Sequence, residues 1–237
     1  MTVNFLNFDE TYHPRQLDDF LFEKNADRDL LDSIITSNLP FPSSNKYGLI
    51  FEGHVGIGKS TLARALPDLM EYAFNGGTAT WCYEYNIKSG ANGAPLFENI
   101  EQKMERHHAF NRCRYIILNE VDRLTKSSMG DLKSLMDTAS KTTVFIMTTN
   151  NVNAIDVAVQ SRSYKFSFNE IKTTSYLPLL KRVMADYQVD IYTDQDLEML
   201  VRIHKGDVRN ILNGAQQMIE AYFAARPFLT APVLPTP

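Results

Sequence analysis

The segment Gly53-His54-Val55-Gly56-Ile57-Gly58-Lys59-Ser60 has the spacing G-x-x-x-x-G-K-[ST]. Background residue usage gives such a match by chance in about 1% of chains this long. Glycines allow backbone N–H groups to turn inward around phosphate oxygens without a Cβ in the way. A helix beginning at the loop adds partial positive charge. Lys59 then neutralises the outer phosphates, and the Ser60 hydroxyl is placed to ligate Mg²⁺. A glycine-rich turn that only capped a helix would leave the Lys59-Ser60 pair unaccounted for. The segment therefore predicts a nucleoside triphosphate on residues 53–60 and on Thr61, which follows in the first helical turn.

A second constellation follows an apolar run. Tyr115-Ile116-Ile117-Leu118 leads into Asn119-Glu120-Val121-Asp122. A strand that ends in acidic residues brings carboxylates to the carboxyl edge of a sheet, where open α/β folds bind ligands. Beside a phosphate loop this is the place for Mg²⁺ and for a group that activates water. Glu120 is the candidate general base. Asn119 stands where an Asp usually helps hold the metal. Its amide keeps an oxygen donor without the charge, so Mg²⁺ is expected to bind more weakly through Ser60, Asn119 and Glu120.

Three further positions are ambiguous in isolation. Asn150, after Thr148-Thr149, suits either a polar site at a strand end or an ordinary turn. Arg162, in Gln160-Ser161-Arg162-Ser163, reads alone as a solvated loop arginine. Asp207, in Gly206-Asp207-Val208-Arg209, reads as a helix N-cap followed by a surface Arg209.

These residues need elements to hold them. Tyr47–Glu52, Ala79–Tyr85, Tyr115–Leu118, Thr143–Thr148 and Tyr164–Phe168 read as strands, rich in β-branched and aromatic residues. The Tyr115 and Thr143 runs are apolar on both faces, as buried parallel strands are. Lys59–Ala73, Pro95–His107 and Ser128–Ala139 have helical periodicity and fill the gaps. Pro67 predicts a kink or early stop near Leu66. Alternation of this kind implies a five-stranded parallel sheet sandwiched by helices over residues 1–168. Beyond Phe168 only helices are expected, over Ile171–Tyr187, Asp194–His204 and Val208–Ala225, with Thr193-Asp194 and Asp207 as N-caps. These define a small helical lid over residues 169–225. A tail over 226–237 follows, with four prolines, expected to be extended or disordered.

Composition excludes other classes. The chain has 237 residues, 44% hydrophobic and 22% charged, which is ordinary for a globular protein. A net charge of −4 excludes a uniformly basic nucleic-acid coat but not a local basic face. The apolar runs are too short for a membrane helix of about 20 residues. The N-terminus has no secretory pattern. Cys82 and Cys113 are too few for a disulfide framework or a zinc site, and their apolar surroundings predict buried reduced thiols. A cytoplasmic location is expected by elimination, in a host cytoplasm for a viral protein.

Taken together, the motifs resemble an AAA+ ATPase, and within that class a clamp-loader small subunit, from about Asp9 to about Gln217. Tyr12-His13-Pro14-Arg15-Gln16-Leu17-Asp18-Asp19 is similar to the family's Y-R-P-x-x-L-D-D segment, so Tyr12 and Pro14 are implied base contacts. By the same resemblance Asn150 is sensor 1, which orients the attacking water. Arg162 is an arginine finger acting in trans on the ATP of a neighbouring subunit. Arg209 is sensor 2, reaching the phosphates from the lid. The resemblance implies ATP and Mg²⁺ as cofactors and an assembly of homo- or hetero-oligomeric subunits. It implies DNA and a sliding clamp as partners, with no membrane role. It also implies a C-terminal collar domain, for which the sequence to Pro237 leaves no room.

Two helix starts are candidates for sequence-blind phosphate contact with DNA, Lys88-Ser89 and Lys126-Ser127-Ser128. Each is also consistent with an ordinary capped surface helix. The alternatives to a DNA-directed ATPase are an ATP-gated scaffold with little hydrolysis, which Asn119 motivates, and a small phosphotransferase. The latter leaves Arg162 and Arg209 without a role.

Overall fold

The computed structural model describes residues 5, 8–88, 93–104, 112–139, 142–169, 171–226 and 228. The helices are α1 (Phe8–Thr11), α2 (Asn25–Ile35), α3 (Lys59–Asn75), α4 (Ala94–Met104), α5 (Lys126–Thr138), α6 (Val157–Ser161), α7 (Leu177–Asp186), α8 (Asp194–Ile203) and α9 (Val208–Ala224). The strands are β1 (Gly48–Glu52), β2 (Cys82–Asn86), β3 (Arg114–Asn119), β4 (Thr143–Thr149) and β5 (Ser163–Ser167). All pairings are parallel, in the order β2-β3-β4-β1-β5.

Packing divides the chain into two units. One comprises Gln16–His54 and Lys59–Asn169. The other comprises Met1–Arg15, Val55–Gly58 and Glu170–Pro237. The first holds the sheet. Its central strands β1, β3 and β4 are buried almost throughout, because helices cover both faces. Ile50, Ile116, Leu118, Phe145 and Met147 pack with Phe97, Leu132 and Met136 of α4 and α5 on one side. β2 lies at an edge and alternates between exposed and half-buried residues.

Several elements differ from expectation. Residues 1–15 group with the helices, not with the sheet. The reason is local: the Tyr12 hydroxyl donates to Asp186 at 2.9 Å, Arg182 stacks over the Tyr12 ring, and Phe8 packs on Tyr187. α3 runs through Pro67 to Asn75 and does not stop near Leu66. Proline removes one helical hydrogen bond, but Leu62, Ala63, Leu66 and Met70 bury a continuous stripe on both sides of it. The second strand begins at Cys82, not Ala79. Cys82 is exposed on this edge strand, contrary to the expectation of two buried thiols, whereas Cys113 is buried. α2 went unread in the sequence, although Leu31, Ile34 and Ile35 form its buried face. Thr193 and Asp207 cap α8 and α9, each accepting from the amide three residues on. The tail over 227–237 lies outside the described residues, apart from Phe228. Among the described residues no helix is long and apolar enough to cross a membrane.

One buried carboxyl ties α3 to the sheet. Glu71 is fully buried and accepts from the Tyr115 hydroxyl at 2.7 Å and from the amides of Arg112 at 3.1 Å and Cys113 at 3.4 Å. Removing it strands three donors. Glu71→Ala is therefore expected to cost about 2–4 kcal/mol in urea unfolding and Tyr115→Phe about 1–2 kcal/mol. A loss below 0.5 kcal/mol for Glu71→Ala would contradict this anchor.

Candidate functional site

The carboxyl ends of the central strands carry the polar residues. β1 exits at Glu52 into the phosphate loop, and the Gly53 amide donates to the Thr149 carbonyl of β4 at 3.2 Å. α3 then begins at Lys59. Lys59 is buried. Its ammonium donates to the Gly53 and His54 carbonyls, both at 2.7 Å, and to Asn150 Oδ1 at 3.0 Å. Burial lowers the Lys59 pKa, while Asp122 and Glu120 act to raise it. Three neutral oxygens only partly offset the cost of desolvating a cation. An anion such as the outer phosphates of a nucleotide would complete its neutralisation, and in this respect the site fits that ligand.

Glu120 follows β3 in a left-handed conformation, with φ +60°. Such a backbone costs a non-glycine residue about 1–2 kcal/mol. Several bonds hold it. The Glu120 amide donates to Thr148 Oγ1 at 3.1 Å, the Glu120 carbonyl accepts from the Arg123 amide at 3.0 Å, and the carboxylate pairs with Arg123 at 2.7 Å. Asn119 is buried, and both ends of its amide are engaged. Its oxygen accepts from the Thr148 hydroxyl at 3.1 Å, and its nitrogen donates to Glu84 at 2.5 Å and Asn86 at 3.0 Å. The oxygen thus keeps one lone pair for a metal or its water. Ser60 is half-buried in the first turn of α3. A hydroxyl, a carboxylate and an amide oxygen are hard donors of the kind Mg²⁺ takes together with phosphate oxygens.

Sequence reading missed four members of this cluster: Glu84, Thr148, Thr149 and Asp122 in a structural role. Thr149 Oγ1 donates to Asp122 at 2.8 Å and accepts from the Asn151 amide at 2.9 Å, which fixes the turns after β3 and β4 together. The signal was the pair of threonines ending an otherwise apolar strand.

The other expected residues are placed as follows. Arg162 caps α6 and is ion-paired with Asp137, through Nε at 2.6 Å and Nη2 at 3.0 Å, and also donates to the Ala158 carbonyl. Lys126 and Ser127 are exposed at the start of α5, after the N-cap Thr125. Ser128 is fully buried, against expectation. Its hydroxyl accepts from the Gly93 amide at 2.7 Å and lies 2.9 Å from Thr125 Oγ1, so it is not presented to a nucleic acid. Lys88 is exposed, and Ser89 lies outside the described residues.

In the second unit, Tyr12 is buried with its hydroxyl taken by Asp186, and Pro14 is half-buried. The loop residues Val55–Gly58 belong to this unit. The Val208 amide donates to the Gly56 carbonyl at 3.0 Å, and Asp207 caps α9 through the Asn210 amide. Arg209 is exposed in the first turn of α9. Gly56 has φ +82°, and the space a side chain would take there is filled by the Asp207 carboxylate.

The parallel sheet in this order, with a glycine loop between β1 and α3, defines a P-loop nucleoside triphosphatase. Residues 49–171 match the ATPase family associated with various cellular activities (AAA), and the chain belongs to that family. It is 27% identical to the Replication factor C small subunit of Aeropyrum pernix over 216 residues, covering 87% of this chain and 61% of the relative. It is 28% identical to that of Methanoculleus marisnigri over 209 residues, with the same coverages. The chain thus spans about three fifths of the length of the curated relatives it matches. Among solved structures, a RuvB variant of Thermotoga maritima superposes with a TM-score of 0.65 at 15% identity, covering 91% of this chain and 67% of that one. A DNA polymerase III gamma subunit-related protein of the same organism gives 0.56 at 12% identity, over 78% and 57% of the two chains. These last likenesses concern the fold.

Gly56→Ala is expected to destabilise by about 1–2 kcal/mol, since alanine must take a left-handed backbone and displace Asp207. Asp207→Ala opens that space, so the pair of changes should cost less than the sum of each alone in urea unfolding. Strict additivity would remove the contact from the explanation.

Proposed function

We propose that this protein binds Mg·ATP on the loop 53–60 and hydrolyses it as one subunit of an AAA+ assembly that acts on DNA, most like a clamp-loader small subunit. The observation that carries the reading is the buried Lys59 ammonium held between Asn150 and the loop carbonyls, with Glu120 at the adjoining strand end. The loop amides and Lys59 bind the triphosphate, and Lys59 exchanges its carbonyl partners for phosphate oxygens. Ser60, Glu120 and Asn119 would hold Mg²⁺, Asn119 with the oxygen that also accepts from Thr148. The ion would supply positive charge to offset that of the phosphates. Asn150 orients a water. Glu120 accepts a proton from it as the water oxygen attacks the γ-phosphorus, and the bond to the bridging oxygen breaks to release ADP and phosphate. Tyr12 and Pro14 are the proposed base contacts, and Arg209 the proposed reader of nucleotide state.

Arg162 is proposed to complete the site of a neighbouring subunit, so turnover depends on assembly with homo- or heteromeric partners. Lys126 and Ser127, at the exposed start of α5, are the proposed contacts to DNA phosphates, with a sliding clamp as a further partner and the cytoplasm as the compartment. The relatives named Replication factor C small subunit support this direction. A nucleotide-binding scaffold with little hydrolysis is the second reading, favoured by the uncharged Asn119.

Steady-state phosphate release separates the two. Glu120→Gln is expected to retain ATP binding within about threefold and to lower release at least 100-fold, in line with loss of a general base. Equal release from the variant and the parent would favour the scaffold. Arg162→Ala is expected to leave ATP affinity in calorimetry nearly unchanged while lowering turnover by about 10³-fold in the assembled state, in line with arginine fingers elsewhere. Normal turnover by that variant would end the shared-site reading.

A further inference from the structure

We propose that Glu84, on the edge strand β2, is a positioning residue for hydrolysis: through Asn119 and Thr148 it fixes the backbone of Glu120. The inference rests on the hydrolytic reading above and adds a residue to it.

The observation is an unbroken chain of hydrogen bonds across four elements. Arg64 of α3 donates to both carboxylate oxygens of Glu84, through Nε at 3.0 and 2.9 Å, and forms an ion pair with it through Nη2 at 2.8 Å. Glu84 accepts from Asn119 Nδ2 at 2.5 Å. Asn119 Oδ1 accepts from the Thr148 hydroxyl, and Thr148 Oγ1 accepts from the Glu120 amide, each at 3.1 Å. All donors point toward Glu84: Arg64 from one side, and Asn119, Thr148 and the Glu120 amide in succession from the other. The carboxylate of Glu84 can only accept, which obliges the Asn119 amide to present its nitrogen. That orientation turns the Asn119 oxygen to Thr148. Thr148, having spent its single proton on Asn119, has lone pairs left for the Glu120 amide. Glu84 thus sets the polarity of a relay whose last member is a residue held at φ +60°. Arg64 lies one helical turn beyond Ser60, so the relay also joins the helix of the phosphate loop to the strand end that carries Glu120.

The uncharged Asn119 then has a function of its own. It is the donor that Glu84 requires. An Asp at 119 would set two carboxylates against each other at hydrogen-bond distance, and a Gln at 84 would allow the Asn119 amide to turn over. The reciprocal exchange, Glu84→Gln with Asn119→Asp, restores one donor and one acceptor in that bond, and the Asp still accepts from Thr148.

The test is kinetic, on the full chain in its assembled state. Glu84→Gln and Asn119→Asp are each expected to lower kcat about tenfold or more with KM for ATP changed less than threefold, and the double variant to recover at least half of the loss on a logarithmic scale. Recovery in the double variant is not expected of residues that merely support the fold, whose losses would add. A double variant as slow as the product of the two singles, or a Glu84→Gln protein with parental kcat, would overturn the inference and leave ATP hydrolysis by Glu120 standing. A parental protein that binds ATP without turning it over would overturn both. Melting temperatures of the four proteins guard against misfolding. Should Asn119→Asp fail to fold, Thr148→Val supplies the second variant. It removes the link between Asn119 and Glu120, so Glu84→Gln should then have no further effect on kcat. An additional tenfold loss in that background would overturn the relay.

Discussion

The constraint on which this structure depends is the desolvation of one ammonium at the carboxyl edge of a parallel sheet. Lys59 begins α3, and its side chain runs back beneath the loop it follows, to the carbonyls of Gly53 and His54. Burying a cation among neutral oxygens is unfavourable unless other gains hold it there. Those gains come from the rest of the unit. β1 and β4 are buried along nearly their whole length, and α3 is pinned by its stripe of Leu62, Leu66 and Met70 and by the Glu71 anchor. The rigid core thus keeps a cation short of charge compensation, which is the electrostatic basis for selecting an anion.

The same economy of polar groups governs the neighbouring strand ends. Residues 115–118 and 144–147 contain no polar side chain beyond the Tyr115 hydroxyl, and toward the carboxyl edge the polar groups appear only in the last residue or two of β3 and β4. Asn119, Thr148 and Thr149 are buried there, and each is bonded to a partner on another strand or turn. Buried polar groups satisfied in this way favour one arrangement over its alternatives, because any shift in register would leave several unpaired. The left-handed Glu120 persists inside this frame, where its strain is offset by its surroundings.

The parallel sheet, the phosphate loop and the acidic strand end were legible because each has a local signature: apolar runs of strand length, fixed glycine spacing, and a sharp change from Leu118 to Asn119-Glu120. Pro67 does not stop α3, because its penalty is local, whereas the stripe that overrides it is tertiary. Ser128 misled for a related reason. Exposure at a helix start is ordinary, and nothing in the sequence shows that Gly93, 35 residues earlier, would place its amide on that hydroxyl. Glu84 was invisible as a site residue because its importance comes from register. Asn86 pairs with Asn119 across β2 and β3, which sets Glu84 two residues back on the same face, and only strand pairing reveals that.

Arg162, proposed above to act on a neighbouring subunit, is held in place by its own chain. Its guanidinium is paired with Asp137, whose side chain is exposed while that of Arg162 is half-buried. Water screens such a pair, so breaking it costs on the order of 1 kcal/mol or less. The pairing nevertheless restricts a side chain with many rotamers, and capping α6 fixes the backbone from which it extends. A phosphate presented by a neighbouring subunit would offer two parallel acceptors, as the Asp137 carboxylate does, with more charge. In the proposed assembly the exchange therefore needs no rearrangement of the fold, only a stronger anion in place of a weaker one.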